Sequence, residues 1–183
     1  MARTPSNMVT LGTKAPKFEL LNTADDILYS SEELFSKNGT VVMFICNHCP
    51  FVIHVINKIV SISENYKENI SFVAISSNDV INYPDDSPEL MKKFAVNKNF
   101  SFPYLFDETQ EVAKSFDAAC TPDFFLYNNE SKLVYRGQMD DSRPGNGIPV
   151  TGNDLKSALD NLIKNKEISA DQKPSIGCNI KWK

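Results

Sequence analysis

Cys46-Asn47-His48-Cys49 is the segment of this chain best equipped for chemistry. Two cysteines three apart lie on one face if they fall on the first turn of a helix, close enough to close a disulfide and reopen it. A helix N-terminus carries partial positive charge that favours a thiolate, and the thiolate is the nucleophile. His48 sets a donor or a second positive charge beside the pair. Zinc needs about four ligands, and no second close-spaced Cys or His pair completes such a site. The reading is a redox dithiol with no metal and no bound cofactor. Cys46, the N-terminal and more exposed member, is the expected nucleophile, with Cys49 resolving. Pro50 complicates that order, because it disfavours helical geometry at Cys49 and lets the helix start at Pro50, leaving Cys49 closer to the dipole.

The flanking elements position this pair. Thr40–Ile45 is apolar after its first residue, as a central strand buried on both faces would be. From Pro50 to Tyr66, Val52, Val55, Ile56, Ile59, Val60 and Ile62 fall near helical spacing, with His54, Asn57, Lys58, Ser61 and Glu64 on a polar, solvated face. Ile70–Ile75 is a second buried-strand run, so these segments form a βαβ unit. Strands are expected near 17–21 and 27–30, followed by a short helix over 32–36 capped by Ser31, and Asn38-Gly39 marks a turn. Residues 76–86 read as an acidic loop. Ser87 caps a helix that faces Leu90, Met91, Phe94 and Ala95 inward. Asp107 caps the helix carrying Val112, Ala113 and Phe116, after a short strand over 102–106. Asp123–Tyr127 and Lys132–Arg136 form a hairpin across Asn128-Asn129. The Gly/Pro-rich stretch 137–152 is too long for a simple connection and is a functional candidate. Within it, Arg143 and Asp140–Asp141 can line the site entrance. Asn153 caps the last helix. The tail from 166 carries Ile180, Trp182 and Cys178, and its apolar residues should fold it back over the domain.

With 183 residues, 42% of them hydrophobic, the chain suits one domain with a sizeable core. The net charge of −4 without a Lys/Arg cluster argues against nucleic acid or an anionic membrane as partner. No apolar run approaches the roughly 20 residues of a membrane span, and the first residues lack the apolar segment of a signal peptide. A cytoplasmic protein is expected, in which four cysteines are reactive rather than stapling.

Several blocks carry a family resemblance. Ala15-Pro16-Lys17-Phe18-Glu19-Leu20, Cys46-Asn47-His48-Cys49-Pro50-Phe51, Cys120-Thr121-Pro122-Asp123-Phe124-Phe125, Asp140-Asp141-Ser142-Arg143-Pro144-Gly145-Asn146-Gly147 and Gly177-Cys178-Asn179-Ile180-Lys181-Trp182 resemble the alkyl hydroperoxide reductase/thiol-specific antioxidant branch of the thioredoxin superfamily. More narrowly, they resemble its peroxiredoxin-like thioredoxin family proteins. The resemblance implies a single thioredoxin-like α/β domain over 10–183. Its central mixed β-sheet would have helices on both faces, an N-terminal β extension and a C-terminal tail. It implies a cis Thr121–Pro122 bond beside the Cys pair, exposing the backbone of Thr121 to an incoming peptide or small thiol. Cys120 would lie near the pair, as a further thiol or a small buried hydrophobe. Cys178 is either structural or a second resolving thiol.

The departures bear on activity. Peroxiredoxins space a Pro, a Thr and the peroxidatic Cys as Pro-x-x-x-Thr-x-x-Cys. Counting back from Cys49 gives Cys46 and Val42, and from Cys46 it gives Met43 and Gly39. Neither register fits. The expected function is thiol–disulfide exchange on a protein or small-molecule disulfide, with electrons from a reducing thiol system. A weak thiol-dependent peroxidase (antioxidant) and a redox-sensing binding module are the alternatives.

Overall fold

A computed structural model describes residues 3–36 and 38–183. A buried run with β-branched residues makes the central strand: β4, Thr40–Phe44, is buried at every position. Its alternation divides the core. Val41 and Met43 join one apolar cluster, while Val42 and Phe44 join the other.

The preceding elements are β1 (Arg3–Pro5), β2 (Glu19–Asn22), β3 (Leu28–Ser30) and the short α1 (Ser31–Leu34). α1 starts one residue earlier than the sequence suggested. Ser30, not Ser31, is its cap, and Glu33 completes a capping box. After β4 come α2 (Pro50–Tyr66), β5 (Ser71–Ser76), α3 (Pro88–Asn97), β6 (Tyr104–Phe106) and α4 (Glu111–Ser115). The chain continues through β7 (Cys120–Thr121), β8 (Asp123–Tyr127), β9 (Leu133–Gly137), α5 (Asn153–Ile163) and β10 (Ile176–Asn179).

Seven strands form a mixed sheet in the order β3-β2-β6-β5-β4-β8-β9. β4 runs parallel to β5 and antiparallel to β8, so β4-α2-β5 is the expected βαβ unit. Side chains of α2, α3 and α5 fill one cluster, and those of α1 and α4 pack on the other, so helices cover both faces as expected. This is a thioredoxin-like fold. None of the described helices is long and apolar enough to cross a membrane.

A second, three-stranded sheet, β1-β10-β7, lies apart from the first. It brings residues 176–179 against the strand that precedes Pro122, with residues 3–5 on the outer edge of β10. The tail thus folds back as expected, although its two large apolar residues part company: Ile180 is 1% exposed and Trp182 is 42% exposed. Lys181 fixes the course of the chain between them. Its N–H donates to Asn78 Oδ1 (2.8 Å), and its carbonyl accepts from the N–H of Asp79 (2.8 Å).

Three smaller expectations also change. Leu90 of α3 faces solvent, while Met91 and Ala95 are buried. Gln110, in a left-handed conformation, is the cap residue of α4. Asp107 still serves that helix from outside by accepting from the Ala113 N–H (2.9 Å). Gly152, not Asn153, caps α5.

Candidate active site

β4 ends at Phe44 and α2 begins at Pro50, so the Cys46–Cys49 turn is suspended between a central strand and a helix N-terminus. Cys49 is the N-cap residue, with extended backbone (φ −68°, ψ 120°), and Pro50 occupies the first helical position. Cys46 therefore lies outside the helix. Both sulfurs are enclosed: Cys46 is 1% and Cys49 0% exposed, so the expected greater exposure of Cys46 is not found. All four cysteines are thiols in this structure.

Thr121–Pro122 is cis, as the resemblance implied, and lies against the pair. Thr121 Oγ1 is 3.5 Å from Cys46 Sγ, and the Thr121 carbonyl accepts from Cys49 Sγ at 3.2 Å. The backbone of Thr121, however, is not open to a partner. β10 pairs antiparallel with β7, with Cys178 opposite Thr121 and Asn179 opposite Cys120. That pairing also brings Cys178 Sγ to 3.0 Å from Cys49 Sγ.

Of the two sulfurs, Cys49 is the one whose surroundings favour the thiolate. Its thiol is lowered to about 5, chiefly because Cys46 donates to it, with Cys178, the Thr121 hydroxyl and the Val52 N–H adding to the effect against the cost of burial. Cys46 is pushed well up by that same donation, by burial and by the nearby Asp86 carboxylate. A thiol at a helix N-cap with two other thiols beside it is better placed to ionise than one facing a carboxylate.

Asp86 is a site residue that the sequence reading missed. It lies in a single 3-10 turn, Pro84–Asp86, and is fully buried. Its Oδ1 accepts from the Asn47 N–H at 2.8 Å and its Oδ2 from Asn78 Nδ2 at 2.7 Å. His48 Nδ1 approaches Asp86 Oδ2 to 2.7 Å, at an angle outside hydrogen-bond geometry, and its ring stacks on Tyr83. Cys46, His48 and Asp86 each offer a donor atom within 4.8 Å of the others, a set that can serve in an open zinc site. The hydrogen bonds already made by Asp86 account for this cluster as the device that holds the 46–49 turn.

Cys120 is fully buried, with Sγ 3.7 Å from the Pro122 carbonyl, and burial pushes its thiol far up. Arg143 folds onto its own loop, donating to the carbonyls of Asp140 (2.6 Å) and Ser142 (2.7 Å) and to Gln138 Oε1 (2.6 Å). It still borders a small cleft with Phe51, Pro122, Pro144 and Ile176. Asp140 organises that loop by accepting from the N–H groups of Ser142, Thr151 and Gly152. His54 is half-buried rather than fully solvated, and its Nε2, 2.8 Å from Ser142 Oγ, ties α2 to the loop.

A redoxin family model matches residues 10–157. The chain belongs to the redoxin family. An uncharacterized conserved protein from Geobacillus kaustophilus is 55% identical, with a TM-score of 0.98 over 100% of this chain and 97% of that one. Peroxidoxin BcpB from Mycobacterium tuberculosis shares the fold at 18% identity (TM-score 0.63, 86% of this chain and 98% of that one). A secreted disulfide oxidoreductase from the same organism does so at 15% identity (TM-score 0.61, 78% and 94%). No curated protein matches the chain.

Proposed function

We propose that this redoxin is a thiol–disulfide oxidoreductase whose redox pair is Cys46 and Cys49. The observation that carries the reading is the Cys49 thiol, lowered to about 5 at the N-cap of α2 with Cys46 donating to it. In the reduced protein the Cys49 thiolate attacks one sulfur of a substrate disulfide, and the other sulfur leaves as a thiolate that takes its proton from water. Cys46 then attacks Cys49 Sγ in the mixed disulfide, releasing the second thiol and closing Cys46–Cys49. A reducing thiol system reverses the sequence. The substrate is a protein or small-molecule disulfide admitted when the Thr121 side of the site opens, since neither sulfur is exposed at rest. His48 and Asp86 hold the turn that carries both cysteines. A cytoplasmic setting accords with reactive rather than stapling cysteines.

Rapid mixing of the reduced protein with a model disulfide and, in parallel, with hydrogen peroxide tests this reading. Faster oxidation by the disulfide is expected. Faster oxidation by peroxide, with a sulfenic acid trapped before the disulfide closes, would replace the reading with the peroxidase one.

A further inference from the structure

Cys49 has a sulfur neighbour that a two-cysteine exchange site does not need. Cys178 arrives on β10, 129 residues further along the chain, and stops 3.0 Å from Cys49 Sγ. The approach is built in by the strand. Gly177 packs on the carbonyl of Thr121 so closely that a Cβ there would collide with it. On its other edge β10 is held by β1, with Arg3 opposite Cys178. Ser175 Oγ donates to the Pro122 carbonyl (2.6 Å), fixing the strand at the cis bond itself. β10 thus occupies the backbone edge that an extended substrate would use for strand addition, and it carries a thiol at the position facing the reactive sulfur.

We propose that Cys178 is a third redox thiol, presented by β10 as a tethered surrogate for an incoming thiol and able to form a Cys49–Cys178 disulfide. The proposal rests on the exchange reading above. In the oxidised protein Cys178 attacks Cys49 Sγ. The Cys49–Cys178 bond forms, the Cys46–Cys49 bond breaks, and its electron pair leaves on Cys46, which takes the proton given up by Cys178. The step is an isomerisation and needs no external oxidant. Burial holds Cys178 protonated, and the charge on Cys49 beside it adds to that. That influence ends once Cys49 is in a disulfide. The same attack on a substrate–Cys49 mixed disulfide releases the substrate thiol, so Cys178 resolves in parallel with Cys46.

Disulfide mapping of the intact protein tests this. The reduced wild type is treated with one equivalent of diamide, which takes up the two electrons. Remaining thiols are blocked with N-ethylmaleimide, and the protein is digested without reduction. A cross-link between tryptic residues 38–58 and 167–181, with Cys46 carrying the blocking group, is expected alongside the internal Cys46–Cys49 product. In a second arm, Cys46→Ser and Cys46→Ser/Cys178→Ser are mixed with glutathione disulfide. The glutathione adduct should persist at least about tenfold longer in the double variant. If Cys46–Cys49 forms while Cys178 stays fully blocked and adduct lifetimes match, Cys178 is structural and this proposal falls alone. If no disulfide involving Cys49 forms, the exchange reading falls with it.

Discussion

The two flanks of Cys49 are built on different principles. On one side Asp86, Asn78, Asn47 and His48 form a polar network whose hydrogen bonds fix the backbone of the 46–49 turn. On the other side Thr121, Gly177 and Cys178 offer two backbone edges in register and a second thiol. The first flank holds the motif in place, and the second covers it. Buried polar networks are costly to break because each lost partner strands another group. A strand edge held by a few backbone bonds can part more readily. The contrast teaches that one side of this site is held by side-chain hydrogen bonds and the other by strand pairing.

The sharpest way to break the comparison is to remove the atom between the flanks. Cys49→Ser should cost several orders of magnitude in disulfide-exchange rate, whereas Cys46→Ser should retain partial turnover through Cys178. Rapid-mixing kinetics on both variants, with circular dichroism confirming the fold, checks the order. Equal losses would return the leading role to Cys46.

Asp86→Asn tests the fixed flank. It leaves one of the N–H groups now directed at the carboxylate without an acceptor, at a cost of about 1–3 kcal/mol, and should lower Tm by several degrees. Removing the carboxylate also lets the raised Cys46 thiol come down. Thiolate absorbance followed against pH reads this second effect, which a purely structural role for Asp86 would not produce.

A smaller effect follows from linkage. The folded value for Cys49 is depressed, to about 5 from an ordinary 9.0. The unfolded chain therefore holds a proton that the folded protein has lost throughout that interval, so stability of the reduced protein rises with pH from about 5 towards 9.0. It falls above 9.0, where unfolded thiols ionise but buried Cys178, raised to about 12, and Cys46 do not. Chemical denaturation of the reduced protein across this range checks both signs. In Cys49→Ser the rise should vanish while the fall remains.

The smallest effect concerns the tail. Trp182→Ala should cost only about 1 kcal/mol, because the residue stays 42% exposed. Ile180→Ala should cost about 2–5 kcal/mol. Equilibrium unfolding of the two variants separates the residue that holds β10 down from the one that does not.

Much of this was legible in the sequence because it rests on local patterns. The apolar run into Cys46 and the helical spacing from Pro50 gave β4 and α2 almost to the residue. Pro50 itself already hinted that Cys49, not Cys46, would meet the helix N-terminus. The cis Thr121–Pro122 bond came from family resemblance, since nothing local to a Thr-Pro step specifies it. Asp86 was hidden for a physical reason. In sequence it belongs to an acidic, Pro-containing loop that reads as solvated, and only N–H groups from Asn47 and His48, 39 and 38 residues upstream, turn it into a buried acceptor. The closed edge of Thr121 was equally out of reach, because strand pairing between 120–121 and 178–179 leaves no periodic signal in so short a stretch. Trp182 was misjudged by size alone. A large apolar side chain gains from burial only where the backbone can deliver it, and the bonds of Lys181 deliver Ile180 instead.

The order in which β10 is made has a further consequence. Residue 178 follows Cys49 by 129 positions, so at about 5–20 residues per second a ribosome takes roughly 6–26 s to add it. During that interval β4 and α2 already exist while the strand that covers their junction does not. The nascent chain therefore passes through a period in which its most reactive sulfur is uncovered. Exchange with small thiols, or a chaperone held over residues 46–49, would act in that period and be shut out once β10 has left the ribosome and paired with β7.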